Sequence, residues 1–104
     1  MPIQIHTSEP VSVNVKKLIR AEKCHLKGEL QEAWDLYKEI LQSESEHYAA
    51  LHGMGLIAAQ VKKYDVAVKF FNNAIKVDNS NPRAYSNLAN VFASQGLNEL
   101  ALKN

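Results

Sequence analysis

The sequence predicts an all-α fold, a right-handed solenoid of antiparallel helix pairs with about five and a half helices. The first reason is a fixed period: Ala33, Ala67 and Ala101 stand 34 residues apart, as do Ala21, Gly55 and Ala89, and so do the aromatic pair Tyr37 and Phe71. The second is that apolar residues within each copy fall at i, i+3, i+4 and i+7, the spacing of one helical face. The third is punctuation, with glycines at 28 and 96 and polar turns at Ser43–Glu46 and Asp78–Asn81 between the periodic stretches.

Composition narrows the function classes. Of 104 residues, 46% are apolar, enough for one packed domain. No apolar run approaches the roughly 18 residues of a membrane-spanning helix, and the first ten residues lack the basic cluster and apolar core of a secretory signal. A formal charge of +1 gives no global attraction for nucleic acid or anionic lipid, so any charged partner must be recognised locally. The single cysteine, Cys24, has no internal partner, which leaves stability to packing and fits a reducing, cytoplasmic setting.

In chain order, residues 1–13 carry Pro2 and Pro10 without helical period and read as an extended leader. The repeat array is expected over 14–104, divided at 47 and 81. A first helix is expected from Asn14 to Lys27, ended by Gly28, a residue suited to the left-handed conformation past a helix end. Lys16, Arg20, Lys23 and Lys27 share one stripe of it. One repeat later that stripe reads Ala50, Met54, Ile57 and Val61, and two repeats later Ala84, Leu88, Val91 and Gln95. In a solenoid this stripe meets the preceding repeat, so a charged first copy is expected to face water as an outer cap.

A second helix, Leu30 to Gln42, presents Ala33, Leu36, Tyr37, Ile40 and Leu41 on its apolar face. In the central repeat, 48–81, Leu51, Met54, Gly55 and Ala58 form one stripe and Ala67, Phe70, Phe71 and Ala74 another, which makes an antiparallel hairpin. Gly55, Ala67 and Ala74 allow close approach, and Phe71 fills the space beside them. Asn81 then caps a helix opened by Pro82, whose missing N–H is no loss at that position. Tyr85, Leu88, Ala89 and Phe92 repeat the stripe, and Gly96 is expected to end it as Gly28 does. The incomplete third repeat, 82–104, closes with the apolar Leu97, Leu100, Ala101 and Leu102.

Period and stripes together resemble the tetratricopeptide repeat. Tyr85, Leu88, Ala89 and Phe92 follow the first half of its pattern, as do Leu51, Met54, Gly55 and Ala58 with a smaller last residue. Tyr64, Ala67, Phe71 and Ala74 follow the second half, with Asn79 where proline is usual. The first copy, 14–47, departs at Lys17 and Arg20 but agrees at Ala21, Gly28, Ala33 and Tyr37, as a terminal repeat does. The stretch around Ala21, His25 and Gly28 and the run Ala50, Leu51, His52 are also similar to repeats ahead of bacterial glycosyltransferase domains of the O-linked sugar transferase type.

The resemblance implies a non-catalytic interaction module whose first helices line a concave groove for a peptide or a partner's helix. Carried over by position, the groove residues are Leu18, Glu22 and His25, then His52 and Leu56, then Arg83, Asn87 and Asn90. Val15, Ile19, Ala59 and Ser94 flank them. Asn87 and Asn90 are suited to a peptide backbone and Arg83 to a carboxylate. The carboxylate clamp of some family members is not expected, because its places hold Leu18, Glu22, Gly53, Arg83 and Asn87, of which only the last two fit.

Other chemistry is disfavoured by spacing. Cys24 and His25 point about 100° apart on a helix and do not converge with His52 on a metal ion. Gly53 and Gly55 lack the third glycine and preceding strand of a dinucleotide loop. No set of acid, base and nucleophile falls together, so neither catalysis nor a cofactor is expected. The basic stripe lacks interleaved aromatics for stacking on bases, and a nucleic-acid partner is not expected. Two further readings stand beside the interaction module. One is the substrate-presenting front of a larger glycosyltransferase-type enzyme; the other is self-assembly into a homo-oligomer through Leu97, Leu100 and Leu102.

Overall fold

The computed structural model describes residues 9–103, and the described residues are all helical apart from short turns. Five helices follow one another: α1 (Glu9–Leu26), α2 (Leu30–Ser43), α3 (Tyr48–Gln60), α4 (Tyr64–Val77) and α5 (Pro82–Lys103). Each packs on the next, and α3 also touches α1 and α5. The odd-numbered helices therefore run side by side along one face, which is the right-handed α-solenoid the period predicts.

Helix ends show how the repeat is written locally. After α1, Gly28 adopts φ +82°, its N–H donates to the His25 carbonyl at 3.1 Å, and the Glu29 N–H donates to that of Cys24 at 2.8 Å. This is the paired-bond turn that satisfies otherwise orphaned carbonyls at a helix end. One period later the same two bonds recur, Lys62 to Ala59 at 3.1 Å and Lys63 to Ala58 at 2.8 Å, with Lys62 at φ +64°. The Asn81 side chain accepts from the Arg83 N–H at 3.0 Å, so the expected cap before Pro82 is present.

The core forms two apolar clusters that meet at α3. The first gathers Ala21, Cys24, Ala33, Tyr37 and Ile40 with Ala50, Met54 and Ile57; the second gathers Leu51 and Ala58 with Ala67, Phe71, Ala74, Ala84 and Val91. Two glycines make α3 thin enough to sit between them. A Cβ on Gly55 would lie 2.6 Å from the Phe71 ring, and one on Gly53, on the other side of the helix, would lie 2.4 Å from the Tyr37 ring. Close approach at Gly55 follows from the sequence; that at Gly53 does not, because its partner lies in the preceding repeat.

The basic stripe behaves as expected: Lys16, Arg20, Lys23 and Lys27 are all exposed, whereas Ala50, Met54, Ile57, Ala84 and Val91 are buried. Asn14 is a buried polar exception, satisfied by its amide donating to Ser43 Oγ at 3.0 Å and to the Glu44 carboxylate.

Four boundaries differ from expectation, the smallest being the end of α1 at Leu26 rather than Lys27. The leader was expected to reach residue 13, but α1 begins at Glu9, since proline at the start of a helix needs no N–H partner and Pro10 is tolerated there; residues 1–8 of that leader lie outside the described residues. Gly96 does not end α5, and the count is five helices among the described residues, not five and a half. A glycine costs only about 1 kcal/mol relative to alanine when a helix runs through it. α2 ends one residue beyond the expected Gln42.

Candidate functional site: a groove along the first helices

Three adjoining hollows run along the face made by α1, α3 and α5. The first, about 430 Å³, is lined by Glu22 and His25 from α1, Tyr37 from α2, Tyr48, His52, Gly53 and Leu56 from α3, and Arg83 from α5. The second, about 400 Å³, shares His52, Leu56 and Arg83 with it and adds Ser86 and Asn87. The third, about 120 Å³, is bounded by Leu56, Ala59, Tyr64, Asn87, Asn90 and Ser94. Leu56 belongs to all three and marks the middle of the groove. Hollows of 300 Å³ or more, mostly apolar with a few convergent polar groups, are of the size that takes a ligand segment.

The floor is knit by two histidine–amide contacts. His52 is 5% exposed, stacked on Tyr48 at 5.8 Å and tilted against Phe71 at 5.7 Å. Burial, and then the Arg83 guanidinium, push its pKa down, so the ring is neutral and its Nε2 accepts from Asn87 Nδ2 at 2.8 Å. His25 contacts the Gln60 amide in the opposite sense, its Nε2 donating to the Gln60 carbonyl oxygen, and its ring meets Tyr37 edge-on at 6.4 Å. In both cases a histidine of one first helix holds an amide of the next, 35 positions on.

The expected groove residues separate accordingly. Glu22, His25, His52, Leu56, Arg83, Asn87 and Asn90 line the connected hollows. Leu18 does not; it packs against the first apolar cluster, where an aliphatic side chain is removed from water. Asn87 commits its NH₂ to His52 and keeps its carbonyl oxygen for other partners. Sequence reasoning missed Tyr37 and Tyr48. The signal for Tyr37 is Gly53, whose missing side chain makes room for the ring. Burial first, then the charge of Glu22, push the Tyr37 hydroxyl up to about 12, so it stays a neutral donor. The Tyr48 hydroxyl is buried without a hydrogen-bond partner among the described residues.

Charge is distributed unevenly around the groove. Lys17 pairs with Glu39 at 3.3 Å and Arg20 with Glu32 at 3.6 Å, on the outer side. Glu22 and Arg83 enter no ion pair among the described residues. The structure also gathers Cys24 with Glu29 and Glu32, their ligand atoms within 4.8 Å of one another. Burial, Glu32 and Glu29 push the Cys24 thiol up, which favours the protonated form that does not bind metal.

At the far end Leu97 is 68% exposed, while the side chains of Leu100 and Leu102 lie outside the described residues. No described helix is long and apolar enough to cross a membrane.

The family model described as TPR repeat matches residues 55–96. Human tetratricopeptide repeat protein 7A is 30% identical over 84 residues, 81% of this chain and 10% of that protein. The mouse N-alpha-acetyltransferase 16, NatA auxiliary subunit, is 35% identical over 54 residues, 52% of this chain and 6% of that protein. The chain thus spans a tenth or less of the length of these curated relatives. Among solved structures, a Thermobaculum terrenum O-GlcNAc transferase mutant superposes with a TM-score of 0.79 at 22% identity, over 83% of this chain and 16% of that one.

Proposed function

Because this chain belongs to the tetratricopeptide-repeat family, we propose that it is a non-catalytic interaction module that holds a peptide segment of a partner protein in the groove across α1, α3 and α5. The observation that carries this reading is the continuity of the three hollows over a floor fixed by the His25–Gln60 and His52–Asn87 contacts. A rigid floor lowers the entropy lost on binding, and the carbonyl of Asn87 and the amide of Asn90 face a bound backbone. The role is that of a scaffold, and the lone buried Cys24 supports a reducing, cytoplasmic setting.

The test is selection of a random dodecapeptide library on the immobilised chain. Peptides enriched on the parent are expected to lose capture when Leu56→Trp fills the middle of the groove and to weaken with Asn87→Ala plus Asn90→Ala, circular dichroism confirming that each variant is folded. Unchanged capture by folded variants moves binding to another face.

A second reading rests on the small share of each relative that the chain spans: these repeats serve a larger polypeptide and present its substrate. A full-length gene product that contains no enzymatic domain removes it.

A further inference from the structure

The two charges that face the groove without a partner are of opposite sign and stand at opposite sides of it. Glu22 projects from α1 and Arg83 from α5, both exposed and both lining the same hollow of about 430 Å³. Of the neighbouring α1 cations, Lys17 and Arg20 are paired with Glu39 and Glu32, while Lys16, Lys23 and Lys27 belong to the outward stripe and line none of the three hollows. Between the two charges lie Tyr37, His52 and Leu56, an aromatic and aliphatic floor in which the imidazole is neutral.

Helix spacing converts this arrangement into a ligand pattern. α1 touches α3 and α3 touches α5, with no contact between α1 and α5. Two interaxial steps of about 8–10 Å each separate the axes that carry the charges by about 16–20 Å. An extended peptide advances about 3.3–3.6 Å per residue, so that distance corresponds to about four to six positions. Side chains of an extended chain alternate faces, which restricts two groove-facing residues to an even separation. Four or six positions are therefore the admissible spacings, with an apolar residue on the same face between them.

We infer that the partner segment is extended and dipolar, with a lysine or arginine over Glu22, an aspartate or glutamate over Arg83 four or six positions away, and an apolar side chain between them on the Tyr37–His52–Leu56 floor. This deepens the groove reading and rests on it. Opposite charges at the two ends also fix the direction in which the segment lies, which an apolar groove alone leaves open.

The same dodecapeptide selection, run on the full chain and on the charge-reversed Glu22→Lys plus Arg83→Glu variant, tests the inference. On the parent, enriched peptides carry a basic and an acidic residue four or six apart in one order along the chain; on the reversed variant the order inverts. For a peptide selected on the parent, Glu22→Lys lowers affinity about fivefold by replacing an exposed attraction with repulsion, and exchanging the peptide's basic residue for glutamate restores it. Enriched peptides without that charge order, or with apolar residues at helical spacing, overturn the inference. If such peptides still lose capture on Leu56→Trp, the groove reading survives alone, and if no peptide is enriched both fail.

Discussion

Gly55 is the point at which the packing account is most exposed to test. Its place on α3 faces the Phe71 ring, which is fully buried, and an added Cβ would lie 2.6, 2.8 and 3.0 Å from three of its atoms. A buried ring cannot swing aside as the end of a flexible chain does, so Gly55→Ala must displace α3 from α4. Overpacking of this kind costs about 1–3 kcal/mol, against which alanine returns about 1 kcal/mol in helix propensity. Gly96→Ala supplies the control, because Gly96 lies within α5 with nothing within 4 Å of its added Cβ. The propensity gain is common to the two variants, so their difference isolates the clash at about 1–3 kcal/mol. For a domain of this size about 1 kcal/mol moves the melting temperature by about 4 °C, and Gly55→Ala is expected to melt at least about 4 °C below Gly96→Ala. Combining Gly55→Ala with Phe71→Leu should recover part of the loss, since the two positions share one contact. Equal melting of the two glycine variants would refute the seating of Phe71 on α3.

Two further outcomes follow from polar groups in the floor. Tyr48→Phe removes a buried hydroxyl that has no partner among the described residues, and is expected to raise stability by about 1 kcal/mol, read as a higher melting temperature; a lower one would mean that the hydroxyl is satisfied. His52 has a folded pKa pushed below its ordinary value by burial and by Arg83, so the unfolded chain takes up a proton that the folded chain refuses. Its contribution is present above pH about 6.5 and is lost as pH falls from there through the lowered folded value, at no more than about 1.4 kcal/mol per pH unit. Melting at pH 7 and pH 5 should show this loss in the parent and a smaller one in His52→Gln; equal losses would place the titration elsewhere.

Much of the fold was legible because it is written at short range or at the fixed period. Tyr37 and Phe71 recur 34 apart since each must fill the gap left by a small residue, and Asn81 with Pro82 announces a helix start in two residues. The exposed stripe of Lys16, Arg20, Lys23 and Lys27 was legible by contrast with its apolar copies. The floor of the groove was less so. Gly53 against Tyr37, His25 against Gln60 and His52 against Asn87 join successive repeats, and their partners depend on the rotation between repeats. That rotation leaves no periodic mark in the residues themselves. Leu18, at the position that matches His52, packs against the first apolar cluster and lines none of the three hollows.

The three positions 28, 62 and 96 decide what ends a helix in this chain. Gly28 takes the left-handed conformation and a new helix follows; Lys62 takes it as well, at φ +64°, and again a new helix follows. Gly96 is better suited to that conformation than Lys62, yet α5 runs straight through it. Residue preference alone would give the opposite result at the last two, since the left-handed region costs a non-glycine residue about 1–2 kcal/mol. At Lys62 the helix that folds back supplies the compensation. α4 lays Phe71 and Ala74 into α3 and offsets the cost at Lys62. The turn at Lys62 therefore forms without glycine, its cost offset by pairing between α3 and α4.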